Sequence, residues 1–363
     1  MPKRVTSDKP YYSMEVLLEA AKLASRNRKN KKEVAEFEMS KMALLRKLHI
    51  SLKNHTYRSS PYKLFKRREG KKVREVADLP LYPDRIAQWA VCIVIEDKVN
   101  SKLVDQTHGS RKGHGIHSAK GDIQKYLGIN ERYAYCLSID VTQFFASIPK
   151  DRMKQRVREV IKDKEVIWFL DTVIDGYPNS GIAIGDRVSP MLANMYLSPL
   201  DHWLKEVRHV HGYSAYMDDR RILGFSKPWL HQIRREIADY LQTIGLEMKD
   251  DWQIFPIDKR GIAYVGYRVY SKDHVRLLKK SVKRIKRQCA RMNSKLDRGE
   301  PLDKHDYGVI ASYKGMLKWC NGWHLYETTL KVVEDRNREL RHKLINERLA
   351  EKTARRIPAN LGE

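Results

Sequence analysis

Apolar residues recur at two spacings along this chain, and the places where the spacing changes mark out its elements. Residues 13–23 hold their apolar positions one helical turn apart, and 33–53 do so again after a solvated basic stretch at 27–32. Alternation takes over at 62–66 and 73–77, and Arg68-Glu69-Gly70-Lys71 between them supplies a turn, so these runs predict a hairpin. Residues 84–96 are too long and too heavily apolar for a strand and predict a buried helix.

Between 133 and 270 the two patterns mix. A strand is expected at 134–140, a helix after Pro149, and another from about Ser189 through Trp203 with Pro190 in its first turn. Residues 214–217 and 222–225 form a second hairpin pattern with Asp218-Asp219 at the turn. Leu230, Ile233, Ile237 and Leu241 place a helix over 229–244, with Pro228 in its first turn and Gly245 as its C-cap. Short strands follow near 252–255 and 262–269. From Leu277 onward the pattern is helical and basic. It continues with a helix over 303–324 anchored by Tyr313, Trp319 and Trp323, a charged helix over 331–352, and a frayed tail at 354–363. No internal repeat is visible.

Composition changes this picture in three ways. A length of 363 residues suits two or three packed units, and 42% hydrophobic against 32% charged residues is a globular balance with no apolar run of membrane-spanning length. The N-terminal residues lack the short apolar core of an export signal, so no membrane partner and a cytoplasmic location are expected. Cys92, Cys136, Cys289 and Cys320 are scattered, which excludes a zinc ribbon and a disulfide framework. The formal charge of +26 is concentrated at 26–32, 66–74 and 279–287, and this clustering predicts a basic groove for nucleic acid.

The candidate chemistry lies in three carboxylates. An Asp-Asp pair alone is most often an ordinary turn, since Asp favours turns for local hydrogen-bonding reasons. Here Asp140 ends an upstream strand while Asp218 and Asp219 occupy a hairpin turn, so rigid elements present three hard oxygen ligands. Such a set suits in-line displacement on a nucleoside triphosphate with two divalent cations. His108, His114 and His117 invite a zinc reading, but the companion Cys or carboxylate spacings are absent.

Three segments occur in a telling order: Asp140-Val141-Thr142-Gln143-Phe144-Phe145, then Gly181-Ile182-Ala183-Ile184-Gly185 continuing through Ser189-Pro190 to Asn194, then Tyr216-Met217-Asp218-Asp219. From about residue 66 to 287 the chain resembles the reverse transcriptases. Within that family it most resembles the enzymes of bacterial and phage diversity-generating retroelements, which are compact, carry Ile-Gly where group II intron enzymes carry Gln-Gly, and use Tyr-Met-Asp-Asp. Ser189-Pro190 departs from them, since they usually show Ser-Gln and intron-type enzymes show Ser-Pro.

The resemblance implies an α+β fold, a right-hand polymerase with an antiparallel palm sheet. Its parts would be an N-terminal helical extension (1–55), fingers (56–132), palm (133–270, with fingers helices inserted near 150–180), helical thumb (271–350) and tail (351–363). It implies two Mg²⁺, with Mn²⁺ as a substitute, held by Asp140, Asp218 and the Val141 carbonyl and assisted by Asp219. Arg74 would bind the dNTP triphosphate with Lys72 beside it, Lys249 would sit near the leaving pyrophosphate, and Phe145 would wall off a ribose 2′-hydroxyl. Successive strand residues face opposite ways, so Phe144 and Phe145 cannot both enter the core of a strand. Ile184 and Gly185 would pack beneath the templating base pair, with glycine allowing close backbone approach. An aliphatic residue at that site is associated with mispairing opposite template adenine. Nucleic acid would be met by Arg111 and Lys112 in a glycine-rich loop, by Tyr216 and Met217, by Gly266 and Tyr267 at a primer-gripping turn, and by Lys279, Lys280, Lys283, Arg284 and Arg287 on the thumb.

No nuclease, maturase or protease unit is visible beyond the thumb, so the expected role is that of a compact element in a bacterial or phage-infected cell. The expected function is RNA-directed DNA synthesis from a primer of RNA or DNA, copying a template-repeat RNA, with a small basic helical accessory protein oligomer as partner. The alternatives are an antiphage-defence or abortive-infection reverse transcriptase, for which Ser189-Pro190 leaves room, and a non-catalytic RNA-binding scaffold. A scaffold gains nothing from three mutually repelling carboxylates.

Overall fold

A computed structural model describes residues 4–69, 72–129 and 133–354 of the chain. The chain divides into two compact units, Met1–Ile123 with Glu131–Pro256, and Gln124–Asn130 with Ile257–Glu363.

The first unit begins with helices α1 (Met14–Ala24), α2 (Lys32–Met39) and α3 (Lys41–Lys53). The single helix expected over 33–53 is two, because Ser40 takes φ −121° and breaks the run. Strands β1 (Lys63–Glu69) and β2 (Lys72–Asp78) form the expected hairpin, whose turn residues Gly70 and Lys71 lie outside the described residues. Helix α4 (Ile86–Asn100) is buried along nearly its whole length, as its apolar run predicts. Helix α5 (Ile116–Ile129) precedes strand β3 (Tyr135–Ile139). After β3 come α6 (Phe144–Ser147), α7 (Lys150–Val160), α8 (Lys164–Gly176) and α9 (Ser189–His202). Phe144 and Phe145 therefore stand on a helical turn and not on a strand, which removes the alternation argument applied to them. Then follow β4 (Tyr213–Tyr216), β5 (Asp219–Gly224), α10 (Lys227–Thr243) and β6 (Gln253–Pro256).

Strands β3 to β6 make an antiparallel sheet in the order β4-β5-β3-β6. Residues of β3 and β5 alternate between its two faces, and Leu137, Ile139 and Ile222 share one face with Arg220. On α10, Leu230, Ile233, Ile237 and Leu241 are all buried, the stripe that the sequence spacing announces, and α10 packs on β3, β5 and β6. Helix α9 is buried almost all round, which is why its sequence shows little amphipathic pattern. Burying a side chain such as Ile237 contributes about 1.5–3 kcal/mol.

The second unit holds a short turn of helix α11 (Ile257–Arg260), then strands β7 (Ile262–Tyr264), β8 (Tyr267–Val269) and β9 (Val275–Leu277) in a separate antiparallel sheet. The one strand expected at 262–269 is a hairpin, folded at Val265 and Gly266, which both take positive φ. Helices α12 (Lys279–Asp297), α13 (Lys304–Leu317), α14 (Trp323–Leu325) and α15 (Val332–Ala354) complete it. The helix expected over 303–324 ends at Leu317. Tyr313 is buried as an anchor should be, but Trp319 and Trp323 are 48% and 71% exposed. The expected tail beyond Ala354 lies outside the described residues.

Ile237→Ala is expected to lower the unfolding free energy by about 2–5 kcal/mol, because the cavity faces a packed sheet, whereas Trp323→Ala stays within about 0.5 kcal/mol. Urea unfolding checks both, and equal effects would contradict the packing described.

Candidate active site

Strand ends deliver the carboxylates. β3 stops at Ile139, opposite Arg220, and Asp140 is the next residue. Tyr216 pairs with Asp219 across the β4–β5 hairpin, which leaves Met217 and Asp218 as a two-residue loop, with φ +57° at Met217. Beyond Asp140 the strand continues as a bridge between Val141 and Met248. Its two bonds run from Lys249 N–H to the Asp140 carbonyl, 2.9 Å, and from Thr142 N–H to the Glu247 carbonyl, 2.9 Å. In such a non-hydrogen-bonded pair the Val141 carbonyl points away from Met248, toward the side of β3 on which β5 lies.

The Asp140 and Asp218 carboxyls stand close enough for the neighbouring Asp140 to favour a proton on Asp218. Burial first, and then the neighbouring Asp140, together push the Asp218 carboxyl up to about 7. Asp219 is also raised, by burial, against the opposing pull of Arg221, whose guanidinium is ion-paired to it. The residues fit a divalent cation: two carboxylates held together against their charge, an oxygen-only donor set, and a backbone carbonyl on the same side. Asp219 already has a cationic partner in Arg221, so Asp140 and Asp218 are the pair most in need of one.

Residues 67–269, more than half of the chain, match the family model described as "Reverse transcriptase (RNA-dependent DNA polymerase)". The chain belongs to the reverse transcriptase family. It is 26% identical over 201 residues to an uncharacterized 91 kDa protein in a cob intron of Schizosaccharomyces pombe, covering 51% of this chain and 24% of that protein. It is 25% identical over 180 residues to the group II intron-encoded protein LtrA of Lactococcus lactis subsp. cremoris, covering 45% and 28%. The chain thus spans about a quarter of the length of these relatives. Among solved structures it is similar to apo telomerase from Candida tropicalis, with TM-score 0.49 and 11% identity over 77% of this chain and 58% of that one.

The structure brings Lys249 to the carboxylates. Its backbone N–H holds Asp140, both Asp140 and Asp218 act on its charge, and its ammonium is paired with Asp251. Phe144 is buried and Phe145 only half-buried, edge-on with ring centroids 5.4 Å apart, so Phe145 remains the exposed member of the pair on a helical turn. The Phe145 carbonyl accepts from Ile182 N–H, 2.9 Å, and this ties the segment of Ile184 and Gly185 to the residues after Asp140. The close approach permitted by Gly185 is to protein: φ is +124° and a Cβ would lie 2.3 Å from the Ala77 carbonyl oxygen of β2, while the Ile184 carbonyl accepts from Ala77 N–H. The glycine is required by this clamp on the hairpin, and no substrate need be invoked for it.

On the β1–β2 hairpin Arg74 is exposed directly opposite Arg67. Like charges directly opposite one another across a ladder are destabilising. The Lys72 side chain lies outside the described residues. In the glycine-rich loop Arg111 is half-buried and its Nη1 donates to the carbonyls of Val104 and Thr107 at 3.0 and 3.2 Å, which ties one edge of the guanidinium to the loop backbone; Lys112 is exposed. That loop does reach the site. Gly109 lies so close to Met217 that a Cβ would come within 2.5 Å of its side chain, while Tyr216 and Met217 are themselves half-buried. His108 is engaged at both ring nitrogens, with Asp122 on one side and His114 and Ser118 on the other.

In the second unit Tyr267, expected at a primer-gripping turn, is wholly buried with its hydroxyl donating to the Met316 carbonyl, so it belongs to that unit's core. Gly266 occupies the turn itself, with open space where a side chain would stand. Lys279, Lys280, Lys283, Arg284 and Arg287 are all exposed on α12. Asp303, His305 and Asp306 gather within 4.8 Å of one another, but Asp306 is committed to Arg291 and Lys295.

A raised carboxyl favours the cation-free fold below its unfolded value, about 3.9 for Asp, and that contribution is lost as pH rises through about 7. Adding Mg²⁺ or Mn²⁺ is therefore expected to raise the melting temperature more above about pH 8 than below about pH 5, where protons compete. Asp218→Asn removes the difference, and an equal rise in that variant would contradict the site.

Proposed function

We propose that the chain is an RNA-directed DNA polymerase that extends an RNA or DNA primer with dNTPs on an RNA template. The observation that carries this is the meeting of Asp140 and Asp218 at a strand end and a hairpin turn, within the matched family region. Asp140, Asp218 and the Val141 carbonyl would hold two Mg²⁺, which when bound supply charge neutralisation and activation of the primer 3′-hydroxyl. Asp219, paired with Arg221, helps shape the anionic pocket. Arg74 and Lys249 provide positive charge for the triphosphate, the guanidinium as a planar fork and the ammonium as a point charge. Phe145, half-buried on the helical turn that follows Asp140, would be the ring that walls off a ribose 2′-hydroxyl. The exposed basic face of α12 suits the phosphate backbone of the duplex product.

The finer reading is that this is the error-prone enzyme of a diversity-generating retroelement, copying a template-repeat RNA together with a small basic helical accessory oligomer. Ile184-Gly185 and Tyr216-Met217-Asp218-Asp219 support it. A defence role is the second reading, favoured by Ser189-Pro190, where the buried Ser189 hydroxyl is bonded to Tyr177 at 2.9 Å and Pro190 opens α9. The intron origin in the relatives' names speaks for template-directed synthesis and does not choose between these two.

Asp218→Asn is expected to lower primer extension by about 10³-fold or more while RNA affinity changes less than about twofold; retained synthesis would defeat the assignment. Sequencing of the cDNA is expected to show errors concentrated opposite template adenine and reduced by Ile184→Gln. A uniform error spectrum would turn the reading toward defence.

A further inference from the structure

The hairpin that carries Asp218 rests on a buried ion pair. Arg220 and Asp201 are each 1% exposed. From Arg220, Nε and Nη2 donate to Asp201 Oδ1 at 3.2 and 2.7 Å. The same carboxylate accepts from the Tyr213 hydroxyl, 2.6 Å, and its other oxygen from the Thr107 hydroxyl, 3.1 Å. Every oxygen of Asp201 thus has a donor, and the guanidinium is held in one orientation. Its remaining nitrogen Nη1 donates to the carbonyls of Met217 and Asp218 at 3.2 and 3.3 Å. These are the two residues of the hairpin loop.

Strand alternation explains how one segment does both jobs. Asp219 and Arg221 face the site, while Arg220 between them faces the opposite side of the sheet, where Asp201 of α9 waits. A buried pair of this kind gives little net stability compared with apolar residues of the same volume, so its presence calls for another reason. Fixing the loop supplies one. Met217 holds a positive φ that a non-glycine residue does not favour, and the Asp218 side chain must stay beside Asp140 against charge repulsion.

We infer that Arg220, clamped by Asp201, is a positioning residue that fixes the Met217-Asp218 loop through its carbonyls and so sets where the Asp218 carboxylate stands relative to Asp140. The inference rests on the polymerase reading for its kinetic consequence only. A lysine keeps the charge but cannot bridge a carboxylate and two carbonyls at once.

The test compares Arg220→Lys with the paired variant Asp201→Asn/Arg220→Met, which leaves no unpaired buried charge and keeps an acceptor for Tyr213 and Thr107. Both are expected to melt near the unaltered chain. Primer-extension kcat is expected to fall about 100-fold, since small displacements of a reacting group cost that much, with KM for dNTP within about twofold. Mn²⁺ affinity, read by paramagnetic resonance without any reaction, is expected to fall about tenfold, because the ligands are no longer held in place. A folded variant with unchanged kcat and unchanged Mn²⁺ affinity would overturn the inference. Loss of folding in both variants would overturn it too, by showing that the pair serves the stability of the sheet. Should the unaltered chain bind Mn²⁺ but extend no primer, the polymerase reading fails, and the Mn²⁺ affinities of the variants still decide the role of Arg220.

Discussion

Two carboxylates that repel one another are held side by side, and the rest of the first unit is arranged to keep them there. Asp140 cannot move away because its carbonyl is bonded to Lys249 and its strand is paired on both edges, by β5 and β6. Asp218 cannot move away because its loop is two residues long and its backbone is gripped from beneath by Arg220. Burial makes the repulsion worse, and it shows in the proton that Asp218 retains to about 7. A fold that concentrates negative charge in this way is poised for a cation, and the stored repulsion is what the cation relieves.

The two faces of the sheet divide the labour. One carries Asp219 and Arg221 together with the Asp140 side; the other buries Leu137, Ile139 and Ile222 under α9 and α10, with the Arg220–Asp201 pair set among them. Rigid packing on one face lets the other hold costly charges in fixed positions, which a flexible loop cannot do. The hairpin β1–β2 is joined to this centre by the Ala77–Ile184 backbone bond, the close approach at Gly185 and a hydrogen bond from the Asn179 amide to Glu75. The second unit has its own sheet and its own core, in which Tyr264 and Tyr267 are buried, while α12 turns a row of lysines and arginines to solvent.

What the sequence made legible was local and periodic. The stripe Leu230, Ile233, Ile237, Leu241 announced α10, the alternation around Gly70 announced the hairpin, and the order of Asp140, Gly185 and Asp218 announced the family. Residues 164–176, within the stretch near 150–180 where the resemblance implies helices, carry the same kind of signal, with Val166, Phe169, Leu170, Val173 and Ile174 at helical spacing behind the capping Asp163. Other features were not legible, because they depend on partners far along the chain. Arg220 reads as one more basic residue until Asp201 is found beneath it. Gly185 reads as a place for substrate to approach until the Ala77 carbonyl is found there. Tyr267 reads as half-exposed until α13 is seen to cover it. In each case a polar or small residue was read as facing outward, and a tertiary contact had claimed it.

The most direct test of this account is anomalous diffraction from crystals soaked in Mn²⁺. The account predicts peaks at about 2 Å from the carboxylate oxygens of Asp140 and Asp218, with the Val141 carbonyl in the same coordination sphere. Crystals with no peak between those two carboxylates, or with manganese only at Asp303 and Asp306, would contradict it.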